Sequence, residues 1–186
     1  MSKCLRLSVL AIVTTLSLKA VDWGALKPKT PFGALPTLEY PGQPVLAQSN
    51  ALLVLIGRRH GVHPKDDFEA ARHEAILQHC EDLRGKLGPT LRMTDEAEKK
   101  KAREAIAAEY IPGWAAAVEK QIGDGPFFGG KEINVADVKL FVLYRWLGGG
   151  KVDHIPASIL SGYPKLTRLH DAVRDHERVK AWYAKS

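Results

Sequence analysis

The chain has 186 residues, 45% hydrophobic and 26% charged, with 27 Lys and Arg against 21 Asp and Glu for a formal net charge of +6. That is the balance of an ordinary globular protein of one or two domains, long enough for a sizeable core. The basic residues are interspersed with acids, and no basic stripe with interleaved aromatics appears, which argues against a nucleic-acid partner. Two cysteines, Cys4 and Cys80, can build neither a disulfide framework nor a metal spacing, and they favour a reducing compartment.

At the amino terminus Lys3 and Arg6 precede an apolar stretch, residues 7–18, that loosely imitates a signal peptide. It is too short to span a membrane, and it is broken by Ser8, Thr14, Thr15 and Ser17 and followed by Lys19. The plainer reading is a buried helix and strand; the alternative is a secreted helical protein from which residues 1–20 are removed. Residues 15–21, "TLSLKAV", alternate as a strand does. "LPTLEY" and "PVLA" then predict a hairpin turning at Pro41-Gly42, in a stretch poor in charge and rich in proline.

From Gln48 onward the pattern is helical. "QSNALLVLIGRRHG" opens on small polar residues suited to a cap and stops at Gly61, and "VHPKDD" reads as a linker. In "DFEAARHEAILQHCEDLRGKL" the spacing of Phe68, Ala71, Ala75, Ile76, Cys80 and Leu83 predicts an amphipathic helix with those residues inward. The next helix starts from Thr94 as its cap, carries the solvated run of residues 99–101, and kinks or breaks at Pro112. Asn134 and Asp137 form a capping box ahead of a mostly apolar helix over residues 135–147, the central buried one. A last surface helix runs over residues 164–182, on Leu166, Leu169, Val173 and Val179. The second half is thus an all-helical bundle and the first half a small α/β unit.

An ordered series of motifs, Trp23, "ALKPKTPFGALPTLEY", "AQSNALLVLIG" and "FFGGKEINVADVKLF", resembles the cytosolic glutathione transferases, most of all the sigma-like class, over residues 16–186. The resemblance implies an α/β plus all-α fold: an incomplete thioredoxin-like domain over residues 1–60 and a helical domain over residues 67–186. It implies attack of glutathione thiolate on small electrophiles, with glutathione as co-substrate, no tightly bound cofactor and no metal. A cytoplasmic homodimer without a membrane partner is the usual form.

The same resemblance assigns the glutathione site. Pro36 would follow a cis peptide bond, and the backbone of Leu35 would pair with the cysteinyl backbone like one more strand. Taken alone, Pro36 could equally be an edge-strand proline that blocks aggregation. Gln48 and Ser49 open a helix whose positive end suits the γ-glutamyl carboxylate, although Ser49 on its own is also an ordinary N-cap. Trp23 and Lys27 would donate to the glycyl carboxylate. Ala34 departs from the polar residue many relatives place there. Tyr110 and Trp114 are candidates for the wall of the second-substrate cleft, and Asn134 and Asp137 are assigned to stability.

Family members begin with a strand and a Tyr whose hydroxyl favours the sulfur's thiolate form. Here residues 4–12 look like the helix after that strand, so the strand and its Tyr are expected to be missing. Tyr40, Tyr110, Tyr144, Tyr163 and Tyr183 all lie at or after the glutathione strand. Ser2 or Cys4 could in principle substitute at a helix start. The alternative function is a non-catalytic glutathione-binding or structural member of the same fold.

Overall fold

The computed structural model describes residues 22–184. The readings made for residues 1–21, namely the signal-like stretch, the helix at 4–12, the strand at 15–21, Ser2 and Cys4, lie outside the described residues. The chain divides into two compact units, Met1–Arg59 and His60–Ser186. The first carries a small two-stranded sheet and the second is wholly helical, the α/β plus all-α arrangement expected.

In the first unit a single turn, α1 (Trp23–Leu26), starts where Asp22 accepts from the Ala25 amide at 3.3 Å. A 3-10 turn, Lys27–Lys29, continues it, with Pro28 where no amide is needed. Strands β1 (Thr37–Leu38) and β2 (Leu46–Ala47) pair antiparallel, Thr37 opposite Ala47 and Leu38 opposite Leu46. The chain reverses at Tyr40-Pro41-Gly42-Gln43: the Gln43 amide donates to the Tyr40 carbonyl at 3.0 Å and Gly42 has φ 76°. That is a type II turn, with Pro presetting the second position and Gly taking the left-handed third. Leu38, Ala47 and, from α2 (Ser49–His60), Leu52 are the buried apolar residues here. Gly61, φ 70°, ends α2 as a left-handed C-terminal glycine.

In the second unit α3 (Asp67–Leu87) is the longest helix, capped by Asp66, which accepts from the Glu69 amide at 2.9 Å. Its buried face is Ala70, His73, Ile76, Leu77, Cys80, Leu83 and Leu87. The expected stripe was therefore set about a quarter-turn off: Phe68 is 75% exposed and Ala71 and Ala75 face solvent. Ala70, His73 and Leu77 continue the line of Cys80 and Leu83 better, but a histidine in the core and three exposed small or apolar residues hid that phase. Helix α4 (Glu96–Ala105) is capped by Asp95, not Thr94; its Oδ1 accepts from Ala97 and Glu98 amides at 2.9 and 3.0 Å. A carboxylate takes two amides there and meets the positive helix end, which a hydroxyl one residue earlier does less well. The break expected near Pro112 is a π-helical turn, Ile106–Tyr110, leading into α5 (Ile111–Gln121). Pro112 has no N–H to return to the preceding turn, and the wider turn absorbs the loss.

Helix α6 (Val135–Gly148) buries Val135, Ala136, Asp137, Lys139, Leu140, Phe141, Leu143 and Leu147 and is the centre of the bundle. Lys139 is neutralised across the core by Glu81 of α3. The last expected helix is two, α7 (Pro164–Asp175) and α8 (Glu177–Tyr183), separated at His176, whose backbone is extended at φ −60°, ψ 129°. The His176 ring accepts from the Arg178 amide at 3.3 Å and so caps α8. Neither Gly nor Pro marks that break. Helices α5 and α7 cap each other: Glu119 accepts from the Lys165 and Leu166 amides at 2.8 and 2.9 Å, while Lys165 Nζ and Arg168 donate to the Ile122 and Gly123 carbonyls.

Candidate functional site

The residues named from the sequence for glutathione, Trp23, Lys27, Ala34, Leu35, Pro36, Gln48 and Ser49, all lie in the first unit. Thr37 stands opposite Ala47 and Leu38 opposite Leu46; Leu35 and Pro36 lead into β1, while Gln48 and Ser49 leave β2 for α2. Leu35 and Ser49 thus both flank the paired stretch on the side away from its turn at Pro41-Gly42. The Leu35–Pro36 peptide is cis. Leu35 is 39% exposed, and neither its amide nor its carbonyl bonds another backbone group among the described residues.

Gln48 has φ 76°, a left-handed conformation that costs a non-glycine residue of the order of 1 kcal/mol. In that position its carbonyl accepts the first bond of α2, from the Leu52 amide at 3.0 Å, and the chain turns straight from β2 into the helix. The amides of the first helical turn have no carbonyl a turn behind them, so they present partial positive charge where Ser49 carries its hydroxyl. This end of the hairpin can hold an extended peptide beside Leu35 and an anion at Ser49.

Trp23 and Lys27 stand one turn apart on α1 and its continuation, Trp23 39% exposed and Lys27 on the surface. Lys27 reaches back over the loop that carries Leu35: a Cβ on Gly33 would be only 3.4 Å from Lys27 Cε. Gly33, φ 59°, is a site residue that the sequence reading passed over. Its only signal was a lone Gly between Phe32 and Ala34, the usual mark of a left-handed turn position. Ala34 is exposed and contributes no polar group.

The residues assigned to the helical unit divide. Trp114 is 4% exposed, donates its indole N–H to the His79 carbonyl at 2.9 Å and stacks on the His79 ring at 5.6 Å. Its ring packs between α3 and α5 with one face on His79. Tyr110 is half-buried at the end of the π turn, with Lys86 Nζ 5.4 Å from its ring centre. Of the other tyrosines, Tyr144 shares a hydrogen bond with Thr167 at 3.2 Å and Tyr163 donates to the Pro112 carbonyl at 2.9 Å. Tyr40 lies under the Arg59 guanidinium at 4.5 Å, and Tyr183 under that of Arg145 at 4.6 Å.

Asp137 is fully buried; Oδ1 accepts from the Phe128 amide at 2.7 Å and Oδ2 from the Asn134 amide at 2.8 Å. Burial pushes its carboxyl up to about 6, against the pull of those amides. Cys80 is completely buried, and desolvation pushes its thiol up to about 12, so it is inert as a nucleophile. Among the described residues no cluster of three or more His, Cys, Asp or Glu could hold a metal ion, and no helix is long and apolar enough to cross a membrane.

A small α/β unit with a two-stranded hairpin running into a helix, followed by a helical bundle with a buried capping box, is the arrangement of a glutathione-transferase-like protein. The family model for the "Glutathione S-transferase, C-terminal domain" matches residues 81–186. The chain is 32% identical over 173 residues to Glutathione S-transferase 1 of Ascaris suum, covering 90% of this chain and 81% of that one. It is 29% identical over 168 residues to hematopoietic prostaglandin D synthase of Gallus gallus, covering 90% and 80%. The crystal structure of the glutathione S-transferase from Ascaris lumbricoides superposes with a TM-score of 0.69 at 30% identity, over 88% of this chain and 80% of that one. The chain belongs to the cytosolic glutathione S-transferase family.

Proposed function

We propose that the protein binds glutathione and transfers its thiolate to small electrophiles. What supports this reading is the exposed Leu35, whose amide and carbonyl bond no other backbone group among the described residues, in a hairpin whose second strand leads through Gln48 into the start of α2. The cysteinyl backbone of the tripeptide pairs with the Leu35 amide and carbonyl, beside Ala34 and Pro36, as an added strand. Its γ-glutamyl carboxylate takes the Ser49 hydroxyl and the first-turn amides of α2, with Gln48 fixing the turn. Its glycyl carboxylate takes the Trp23 indole N–H and the Lys27 ammonium, held across the loop by packing on Gly33.

The reaction needs the sulfur as thiolate, so a donor or positive field at the sulfur is required. The described tyrosines are assigned elsewhere, and Ser2 and Cys4, the substitutes named from the sequence, lie outside the described residues. Tyr110 and Trp114 are the candidates for the second-substrate wall, Tyr110 the more exposed of the two. The reading carries with it a cytoplasmic setting and a two-fold homodimer.

The second reading, a member that binds glutathione without turning it over, rests on that unassigned donor. Titration with glutathione followed by a conjugation assay with a chromogenic aryl halide separates the two. The enzyme reading expects saturable binding and thiol-dependent turnover; binding with a rate equal to the uncatalysed one leaves only the second reading, and no binding removes both.

A further inference from the structure

The loop over residues 127–134, which delivers the chain to α6, is gripped from two sides by buried titratable groups. On one side His73 of α3 is 1% exposed, its ring edge-on to Phe128 at 4.9 Å. It lies so near Gly129 that a Cβ there would come within 2.8 Å of Nε2, and Nδ1 has no hydrogen-bond partner among the described residues. On the other side Asp137 holds the Phe128 and Asn134 amides. Between these grips the loop is closed on itself by the reciprocal bonds of Phe127 and Gly130, each 3.1 Å, and α6 is tied back by the Val135 amide to the Val62 carbonyl at 3.0 Å.

The two grips answer acid in opposite senses. A neutral imidazole fits the His73 site, whereas an imidazolium would bury an N–H donor at Nδ1 with no acceptor among the described residues, so a proton on His73 favours an open loop that admits water. The Asp137 carboxylate is charged in a dry site with no countercharge from a side chain among the described residues, so a proton on Asp137 favours the closed loop. The charged or titratable groups that face His73 are Glu69 and Arg72 on its own helix and His63 on the connection before it. Those that meet Asp137 are the backbone amides of Phe128, Asn134 and its own residue.

We propose that His73 and Asp137 form an opposed pair of pH-sensitive grips on the 127–134 loop, which opens as a local unit, and that each grip offsets the acid response of the other. Burial holds His73 down at about 4 and raises Asp137 to about 6. Closed-loop affinity for the His73 proton is therefore below its solvated value of about 6.5, and for the Asp137 proton above its solvated value of about 3.9. Between pH 7 and pH 5 the first favours opening by about 20-fold and the second favours closing by about tenfold, leaving the intact protein within about threefold of flat.

The test is amide hydrogen exchange at Phe128 and Asn134, referred to the core amide of Leu83, at pH 7 and pH 5. It uses the full chain, His73→Phe, and Asp137→Asn; His73→Gln serves as a second neutral replacement if the ring does not fit. After correction for intrinsic exchange, acid loosens the loop by an order of magnitude in Asp137→Asn and tightens it in the His73 variants, with little change in the intact protein. Acid responses of one sign in all variants, or loop amides that exchange only together with Leu83, overturn the proposal.

Discussion

Replacing Glu119 by Ala should loosen the start of α7 and lower the stability of the helical unit by an amount set by two hydrogen bonds. The carboxylate accepts from the Lys165 amide at 2.8 Å and the Leu166 amide at 2.9 Å, the first donors of α7, from a half-buried position on α5. Tyr163, which precedes Pro164, offers no side-chain cap of its own, so Glu119 does that job from another helix. A lost cap costs about 1 kcal/mol, and hydrogen bonds to a charged group about 1.5–3 kcal/mol; with partial water access after truncation, about 2–3 kcal/mol is expected in total. At this chain length that is a fall in Tm of roughly 4–12 °C. Glu119→Gln keeps one acceptor and should cost about half as much, and exchange at Leu166 and Leu169 should quicken ahead of that in α3. Thermal and denaturant unfolding followed by circular dichroism, with exchange to localise the loss, measures this. A loss under about 0.5 kcal/mol for Glu119→Ala, or equal losses for Ala and Gln, would refute the idea that the carboxylate caps α7.

Gly125→Ala should be worse than Gly129→Ala. A Cβ at 125 would lie 2.3 Å from the Gly130 carbonyl oxygen, which is backbone, whereas at 129 it meets the His73 ring at 2.8 Å; relative soluble yield and Tm of the two variants check the order. Arg103→Ala removes a buried guanidinium from Thr90 at 3.0 Å and leaves the exposed Asp153 in water, and should cost about 1 kcal/mol in denaturant unfolding through the lost bond to Thr90. Cys80, held near 12 by burial, should resist alkylation at pH 8 in the folded protein and react on unfolding, as read by mass mapping of that residue. Trp114→Phe should cost about 1 kcal/mol of stability in denaturant unfolding through the lost bond to His79.

What the sequence made legible was local and punctuated. Pro41-Gly42 fixed the hairpin turn, Gly61 the end of α2, and Asn134 with Asp137 the start of α6, because each is a short-range device with its own residue signature. The failures came where a distant contact decided. The inward face of α3 turns on His73, a polar residue made core by its packing against Phe128 and Gly129. The break at His176 has no breaker residue, and the cap of α7 comes from Glu119, more than forty positions earlier. For the candidate site the family resemblance named the residues, but the left-handed Gln48 and Gly33 beside them are conformations that composition and periodicity do not display.

The central claim is that the Leu35–Ser49 end of the hairpin takes glutathione. Calorimetric titration of glutathione into the intact protein and into Ser49→Ala tests it directly. Loss of one hydroxyl bond to a carboxylate, worth about 1–2 kcal/mol, predicts saturable one-site binding that weakens about 5- to 30-fold in the variant while the Tm stays within a few degrees. No heat of binding at millimolar glutathione, or equal affinity in a folded Ser49→Ala, would contradict it.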